Sequence, residues 1–241
     1  MSVVPVAVPA FLDLRRYAAR VPAPAAAPAA AAWSANRDWL ALPEGPVSLG
    51  CLTLPAGSGD APAQAHDEFL IVLDGALDLT AGDQSLTLAK DASLVVPAGV
   101  ALRWQSAAAA TVIFMRCRAD VGAAQALVPT AESAQLHPPG ARLAELLTTP
   151  TPQCRSFTDY RSLDGEFMCG TWDSTPYTRT SMRYRHYELM HLLEGEVAFV
   201  DGQGNEGVFG QGDIFLVTRG ADCSWDSQVH VKKVFAIHRP A

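Results

Sequence analysis

Two short segments of the 241-residue chain carry a histidine two positions ahead of a glutamate, His66-Asp67-Glu68 and His186-Tyr187-Glu188. Side chains on a β-strand alternate between its faces, so each His and Glu would share a face, about 7 Å apart. An imidazole beside a carboxylate suits proton transfer, with His186 or Glu188 as general base or acid. The same two groups are also part of what a divalent metal needs. Around the second pair stand Tyr177, Arg179, Arg183, Tyr184, Arg185 and Tyr187. Arg183 or Arg185 is a candidate to clamp a substrate carboxylate and Arg183 or Tyr184 to orient the substrate, a solvated hairpin of alternating Arg being the alternative. The first half is plainer at the equivalent positions, with Ala61, Ala63 and Ala65, so the second half is the candidate working half.

The elements that must position these groups read as strands. From Trp33 onward, short runs rich in Val, Ile, Leu and Phe are separated by Gly, Pro, Asp and Ser every 8 to 12 residues, the spacing of an all-β sandwich or barrel. The runs also repeat. Gly50, Glu68, Leu73 and Gly75 recur 120 residues later as Gly170, Glu188, Leu193 and Gly195. Gly99, Trp104 and Phe114 recur 121 residues later as Gly220, Trp225 and Phe235. A fixed offset over so long a span marks one structural unit written twice. Gly75, Gly99, Gly195 and Gly220 are expected at corners with positive φ, and Asp91 and Asp213 as bonding partners of the turn backbone ahead of their strands. His191 falls on the face opposite Glu188 and is expected at an interface or the surface.

The pattern Glu-x6-Gly followed about two dozen residues later by Pro-x-Gly resembles the two motifs of the cupin superfamily. The second half carries the closer match, in Leu193-Glu194-Gly195-Glu196-Val197, Gly212-Asp213, Arg219-Gly220 and Trp225, with Lys232-Lys233 opening the last strand. That combination is similar to the branch containing ureidoglycine aminohydrolase and the ethanolamine-utilisation cupins. The resemblance implies an all-β chain of two tandem cupin (double-stranded β-helix, jelly-roll) barrels, a bicupin, and nitrogen-metabolite chemistry of the hydrolase or lyase kind.

In metal-binding cupins the Glu is joined by two upstream His and a third after the Pro-x-Gly. At those positions the second half has Met182, Tyr184 and Cys223, and the first has Pro62, Gln64 and Leu102. Neither half keeps the ligand set. The expectation is a metal-free pocket, a divalent metal on Glu188 and His186 being the alternative. Tyr184, Arg183, Cys223 and Trp225 are the substrate-binding candidates beside the catalytic pair His186 and Glu188. A non-enzymatic sensor, carrier or accessory protein is the competing reading. An iron dioxygenase fits worst, since six His include no His-x-His pair.

Residues 33–118 and 154–241 form the two expected barrels. Residues 1–32 are read as an arm that covers an edge strand or exchanges with a neighbour, running into an Ala/Pro linker too rich in proline for a stable helix. Residues 119–153 are read as a connector in which Ala141 to Leu147 forms two helical turns. A net charge of −7 argues against nucleic acid and anionic membranes as partners. No apolar run approaches the roughly 20 residues that cross a bilayer. The N-terminus has its arginines after the apolar stretch, unlike a secretory signal, and the five cysteines are scattered and odd in number. These point to a reduced cytoplasmic protein that binds a small molecule, as a monomer or homodimer.

Overall fold

A computed structural model describes residues 8–22, 29–120, 122, 126–138 and 144–240. The chain opens with strand β1 (Phe11–Asp13), helix α1 (Leu14–Ala18) and helix α2 (Ala29–Ala35). The first half then runs through β2 (Arg37–Trp39), β3 (Val47–Leu54), β4 (Gly57–Ala61), β5 (His66–Asp74), β6 (Leu77–Ala81), β7 (Gln84–Leu88), β8 (Ser93–Val96), β9 (Leu102–Ser106) and β10 (Ala110–Arg118). After β11 (Val128–Pro129) the second half repeats the order as β12 (Cys154–Arg161), β13 (Phe167–Ser174), β14 (Tyr177–Arg183), β15 (Tyr187–Glu194), β16 (Glu196–Val200), β17 (Glu206–Gly210), β18 (Ile214–Val217), β19 (Asp222–Ser227) and β20 (Val231–His238).

Each half closes a six-stranded sheet over a four-stranded one. In the first, β11-β8-β5-β10-β3-β2 faces β4-β9-β6-β7; in the second, β1-β18-β15-β20-β13-β12 faces β14-β19-β16-β17. All pairings within these sheets are antiparallel, the jelly-roll arrangement expected from the repeat. Three cores result. One fills the first barrel, one the second, and the third lies between the two six-stranded sheets, where Phe69, Ile71, Val95, Ile113 and Met115 meet Phe167, Leu189, Leu216 and Ala236.

That third core explains the strand sequences. The six-stranded sheets are buried on both faces, so β5, β8 and β18 are buried at nearly every position, and their central residues are apolar in unbroken runs. The four-stranded sheets have solvent on one face, so β6 and β9 alternate buried and exposed residues. Alternation along β5 and β15 sends Glu68, Leu70 and Val72, and likewise Glu188, Met190 and Leu192, into their own barrels. Their neighbours face the other barrel.

The predicted corners form as expected, with φ of +79° at Gly75, +87° at Gly99, +81° at Gly195 and +90° at Gly220. At Gly195 a Cβ would stand 2.1 Å from the carbonyl oxygen of His230, so both φ and space require glycine. Of the two aspartates expected to bond their turns, only Asp213 does so, and the two do not occupy matching positions. Asp91 N bonds Val72 O just as Gly212 N bonds Leu192 O, which makes Gly212 the counterpart of Asp91. Asp213 does bond its turn, accepting from Gly210 N at 2.7 Å, whereas Asp91 pairs with Arg15 at 2.5 Å.

The arm covers an edge. β1 adds to β18 of the second barrel, Phe11 packs against Phe199 and Phe209, and α1 leads Arg15 to the turn between β17 and β18, where it donates to Gly212 O at 2.7 Å. The reading of the Ala/Pro tract as uniformly non-helical is corrected at its end, because the proline-free run after Pro28 forms α2, and alanine is the best helix former. Residues 23–28 of the tract lie outside the described residues. In the connector, 141–143 also lie outside them, and Ala144–Leu146 makes a 3-10 turn instead of the end of a two-turn helix.

Candidate functional site

The two glutamates of the repeat sit at matching places and meet different partners. In the first barrel Glu68 accepts from Arg37 through both guanidinium nitrogens, at 2.6 and 3.3 Å, and from Arg116 Nε at 2.8 Å. Burial would raise its pKa, but the two guanidinium groups outweigh burial and hold the carboxyl below its ordinary value. Arg37 comes from β2 and lies 4.3 Å over the Phe114 ring, while Trp33 of α2 is buried in the barrel core. The cavity left beside Glu68 and His66 holds about 10 Å³, room for a single water at most. His66 keeps Nε2 buried with no partner among the described residues, and burial, helped by Arg116, lowers its pKa to about 4.

In the second barrel the cation comes from the last strand. Lys233 Nζ donates to Glu188 Oε1 at 2.8 Å and lies 3.0 Å from Met190 Sδ. The ammonium also sits 4.8 Å from the Trp172 ring and 5.1 Å from the Trp225 ring, close enough for cation–π attraction to both. His186 Nε2 stands 3.2 Å from the other carboxylate oxygen, Oε2. Burial pushes the Glu188 carboxyl up, but the Lys233 ammonium and the His186 hydrogen bond prevail and hold it well below the carboxylate range. The side chains of His186, Glu188 and Lys233 remain 9%, 10% and 8% exposed, so solvent still touches the cluster.

Tyr184 faces the same interior. Its hydroxyl accepts from Arg179 Nη2 at 2.8 Å, its ring lies 5.1 Å from that of His186, and burial raises its pKa far above the ordinary phenol value. Trp225 is core and wall at once. It stacks on Tyr177 at 5.5 Å and donates from Nε1 to Ser227 Oγ at 3.1 Å. Cys223 is fully buried, and burial pushes its thiol up to about 11, so it is a packed thiol rather than a thiolate ligand.

Arg183 is a correction: its side chain is 67% exposed and pairs with Asp222 at 3.0 Å on the outer surface. Alternation back from Glu188 through His186 and Tyr184 sets Arg183 on the outer face, and a register shift in β14 between Arg179 and Met182 then exchanges the inward and outward rows. Tyr177 and Arg179 therefore point in before the shift, and Met182, Tyr184, His186 and Glu188 after it. Arg179 is the interior arginine, bonding Cys223 O at 2.9 Å besides Tyr184.

Lys233 was not among the candidate site residues, although its signal was present. Val231, Phe235 and Ile237 are the inward row of β20, and Lys233 is the charged member of that row. Arg116 carried the same signal, as the charged member of the inward row of Ala110, Val112 and Phe114 on β10, whereas Arg37, on the added edge strand β2, had none.

These residues do not fit a divalent metal. Glu188 is occupied by an ammonium, the Cys223 thiol and Tyr184 phenol are held protonated, and among the described residues no group of three or more His, Cys, Asp or Glu could hold an ion. Among the described residues no helix is long and apolar enough to cross a membrane.

Residues 161–235 match the family model of the EutQ-like cupin domain. No curated protein matches the chain. Among solved structures, a protein of unknown function in the DUF861 family from Pseudomonas syringae pv. tomato is 27% identical over 84% of this chain and 86% of that one, with a TM-score of 0.78. A cupin 2 conserved barrel domain protein from Leptotrichia buccalis (9% identity, 99% and 100% covered, TM-score 0.64) has the same fold. So does a salicylate 1,2-dioxygenase from Pseudaminobacter salicylatoxidans (12%, 99% and 86%, 0.61). The chain as a whole has the cupin fold, with its jelly roll duplicated, and residues 161–235 of the second barrel carry a EutQ-like cupin domain.

Proposed function

We propose that the C-terminal barrel binds a small polar, nitrogen-containing metabolite in the cytoplasm and moves a proton on it through His186, without a metal. The observation that carries this is the Lys233 ammonium, 2.8 Å from Glu188 where a metal-binding cupin would hold its ion, with His186 on the other carboxylate oxygen. Glu188, kept ionised by that neighbour, is a poor proton carrier. Its role is to orient His186 and stabilise the imidazolium, leaving the ring to exchange the proton. Hydrolysis or elimination at a C–N bond needs such a proton on the departing nitrogen. Tyr184, fixed by Arg179, and Trp225 would contact the substrate.

A sensor or carrier without catalysis is the second reading. The first barrel favours it, since there the glutamate is tied up by two arginines and the cavity is closed. Thermal-shift screening with small amino, ureido and carboxylate metabolites, with product analysis of the hits, tests both readings. The expected result is a shift abolished by His186→Ala and retained in His66→Ala, with turnover of the hit. Equal loss from both variants would reject the second barrel as the site; binding without turnover would reject the enzyme reading. A stoichiometric transition metal that disappears in Glu188→Ala would reject the metal-free site.

A further inference from the structure

Between the barrels, on the face of β15 opposite Glu188, lies a cleft of about 690 Å³. The turn before β8, the connector around Glu132, the end of β15 and the turn before β18 all line it. His191 of β15 is one wall. It is 3% exposed, its Nδ1 is sealed with no partner among the described residues, and burial lowers its pKa to about 4 against the nearby Asp91, so the ring is neutral. A sealed acceptor is tolerated more readily than a sealed donor. With Nδ1 sealed, Nε2 is the ring nitrogen of this lining residue left to meet a ligand, and the tautomer that protonates it makes it a donor.

Facing it are two carboxylates. Asp91 has φ of +67°, the one non-glycine residue with positive φ among the described residues, at the position where the second barrel has Gly212 at +87°. Glycine would relieve the strain there, so an aspartate is held at a conformational cost. Arg15 matches its charge at 2.5 Å. Glu132 lies within electrostatic reach of Asp91 and Lys232, but its carboxyl makes no hydrogen bond or ion pair among the described residues, and burial raises its pKa. Lys90 stands at the rim.

We infer that this cleft is a second ligand site, taking a small primary amine with an adjacent carbonyl group. The ammonium pairs with the Glu132 carboxylate, and the carbonyl oxygen accepts from His191 Nε2–H and from Lys90. Leu86, Leu94 and Leu193 cover the carbon between them. No bond to the ligand is made or broken there. The site lies across β15 from the proposed His186 site and does not depend on it.

Glycinamide is the probe, compared with acetamide, which lacks the ammonium, and ethylamine, which lacks the carbonyl. Binding to the full-length protein is read from the imidazole ¹⁵N resonances, with the His191 signal assigned by its loss in His191→Gln. The expected result is a saturable shift of the His191 signal with glycinamide, at an affinity at least about tenfold above either control. Glu132→Gln, a partly exposed change, weakens glycinamide about tenfold or more, as expected for loss of a charge-assisted contact. His186→Ala leaves the titration unchanged. Absence of a His191 shift, equal responses to glycinamide and acetamide, or indifference to Glu132→Gln would each overturn the assignment. Loss in His186→Ala would instead place glycinamide in the barrel and overturn it as well.

Discussion

Replacing Lys233 by Met removes one charge from the second barrel while nearly keeping the side-chain volume. At 2.8 Å and an effective dielectric near 20, the Coulomb attraction it removes is roughly 6 kcal/mol. Part of this is offset because the ammonium no longer has to be desolvated, and His186 still bonds the carboxylate. The net cost should be about 3 kcal/mol, in the range found when one member of a buried pair is deleted. For a chain of this size that corresponds to a fall in Tm of about 6–12 °C.

The sign of the pH dependence is specific to this pair. In the native protein Glu188 has a folded pKa below its unfolded value near 4.3, so its contribution is present above about pH 4 and is lost as pH falls below that. Without Lys233, burial dominates and raises the folded pKa, so the variant's penalty is greatest at neutral pH and is relieved as Glu188 takes up a proton. Urea denaturation should therefore show a difference of about 3 kcal/mol between the two proteins at pH 7, shrinking to under about 1 kcal/mol near pH 3.5. Adding Glu188→Gln to Lys233→Met should recover much of the loss, for a coupling of about 2 kcal/mol in the double-mutant cycle. A cost below about 1 kcal/mol at pH 7, or a cost independent of pH, would refute the role assigned to the pair.

Two further outcomes check the geometry. Arg179→Ala should destabilise by about 2 kcal/mol, because it leaves the Tyr184 hydroxyl and Cys223 carbonyl without their donor, whereas Arg183→Ala should cost under about 0.5 kcal/mol, as an exposed ion pair does; thermal or urea unfolding reads both. In the native protein at pH 8, a thiol reagent followed by mass spectrometry should modify Cys154 alone, since Cys51, Cys117, Cys169 and Cys223 are fully buried with raised thiol pKa values; rapid labelling of Cys223 would contradict its place in the barrel core.

Much of this architecture was legible because its causes are local or periodic. The repeat of Glu68 and Gly75 as Glu188 and Gly195 reports two copies of one strand and corner, and alternation alone assigns Glu188 and His191 to opposite faces of β15. The glycine corners follow from what only glycine can adopt at positive φ. The site was legible only in part. The pairing of His186 with Glu188 is a two-residue relation on one strand and was readable, and alternation from Glu188 also sets Arg183 on the opposite face; the inward place of Arg179 was not readable, because a single register shift in β14 reverses the inward row and leaves no mark in residue type.

What the sequence by itself determined is the set of strands, their corners, their duplication and the His-x-Glu pairs. Those depend on side-chain period and on backbone limits that act within a few residues. What tertiary structure alone decided is which cation meets each glutamate. Arg37 and Arg116 reach Glu68 from 31 and 48 residues away, and Lys233 reaches Glu188 from 45, across strand pairings that only the closed barrel makes. Once buried, a carboxylate must be neutralised by whatever charge the fold brings within about 3 Å. That requirement tells the two barrels apart, and it also makes the second one a site organised around a lysine.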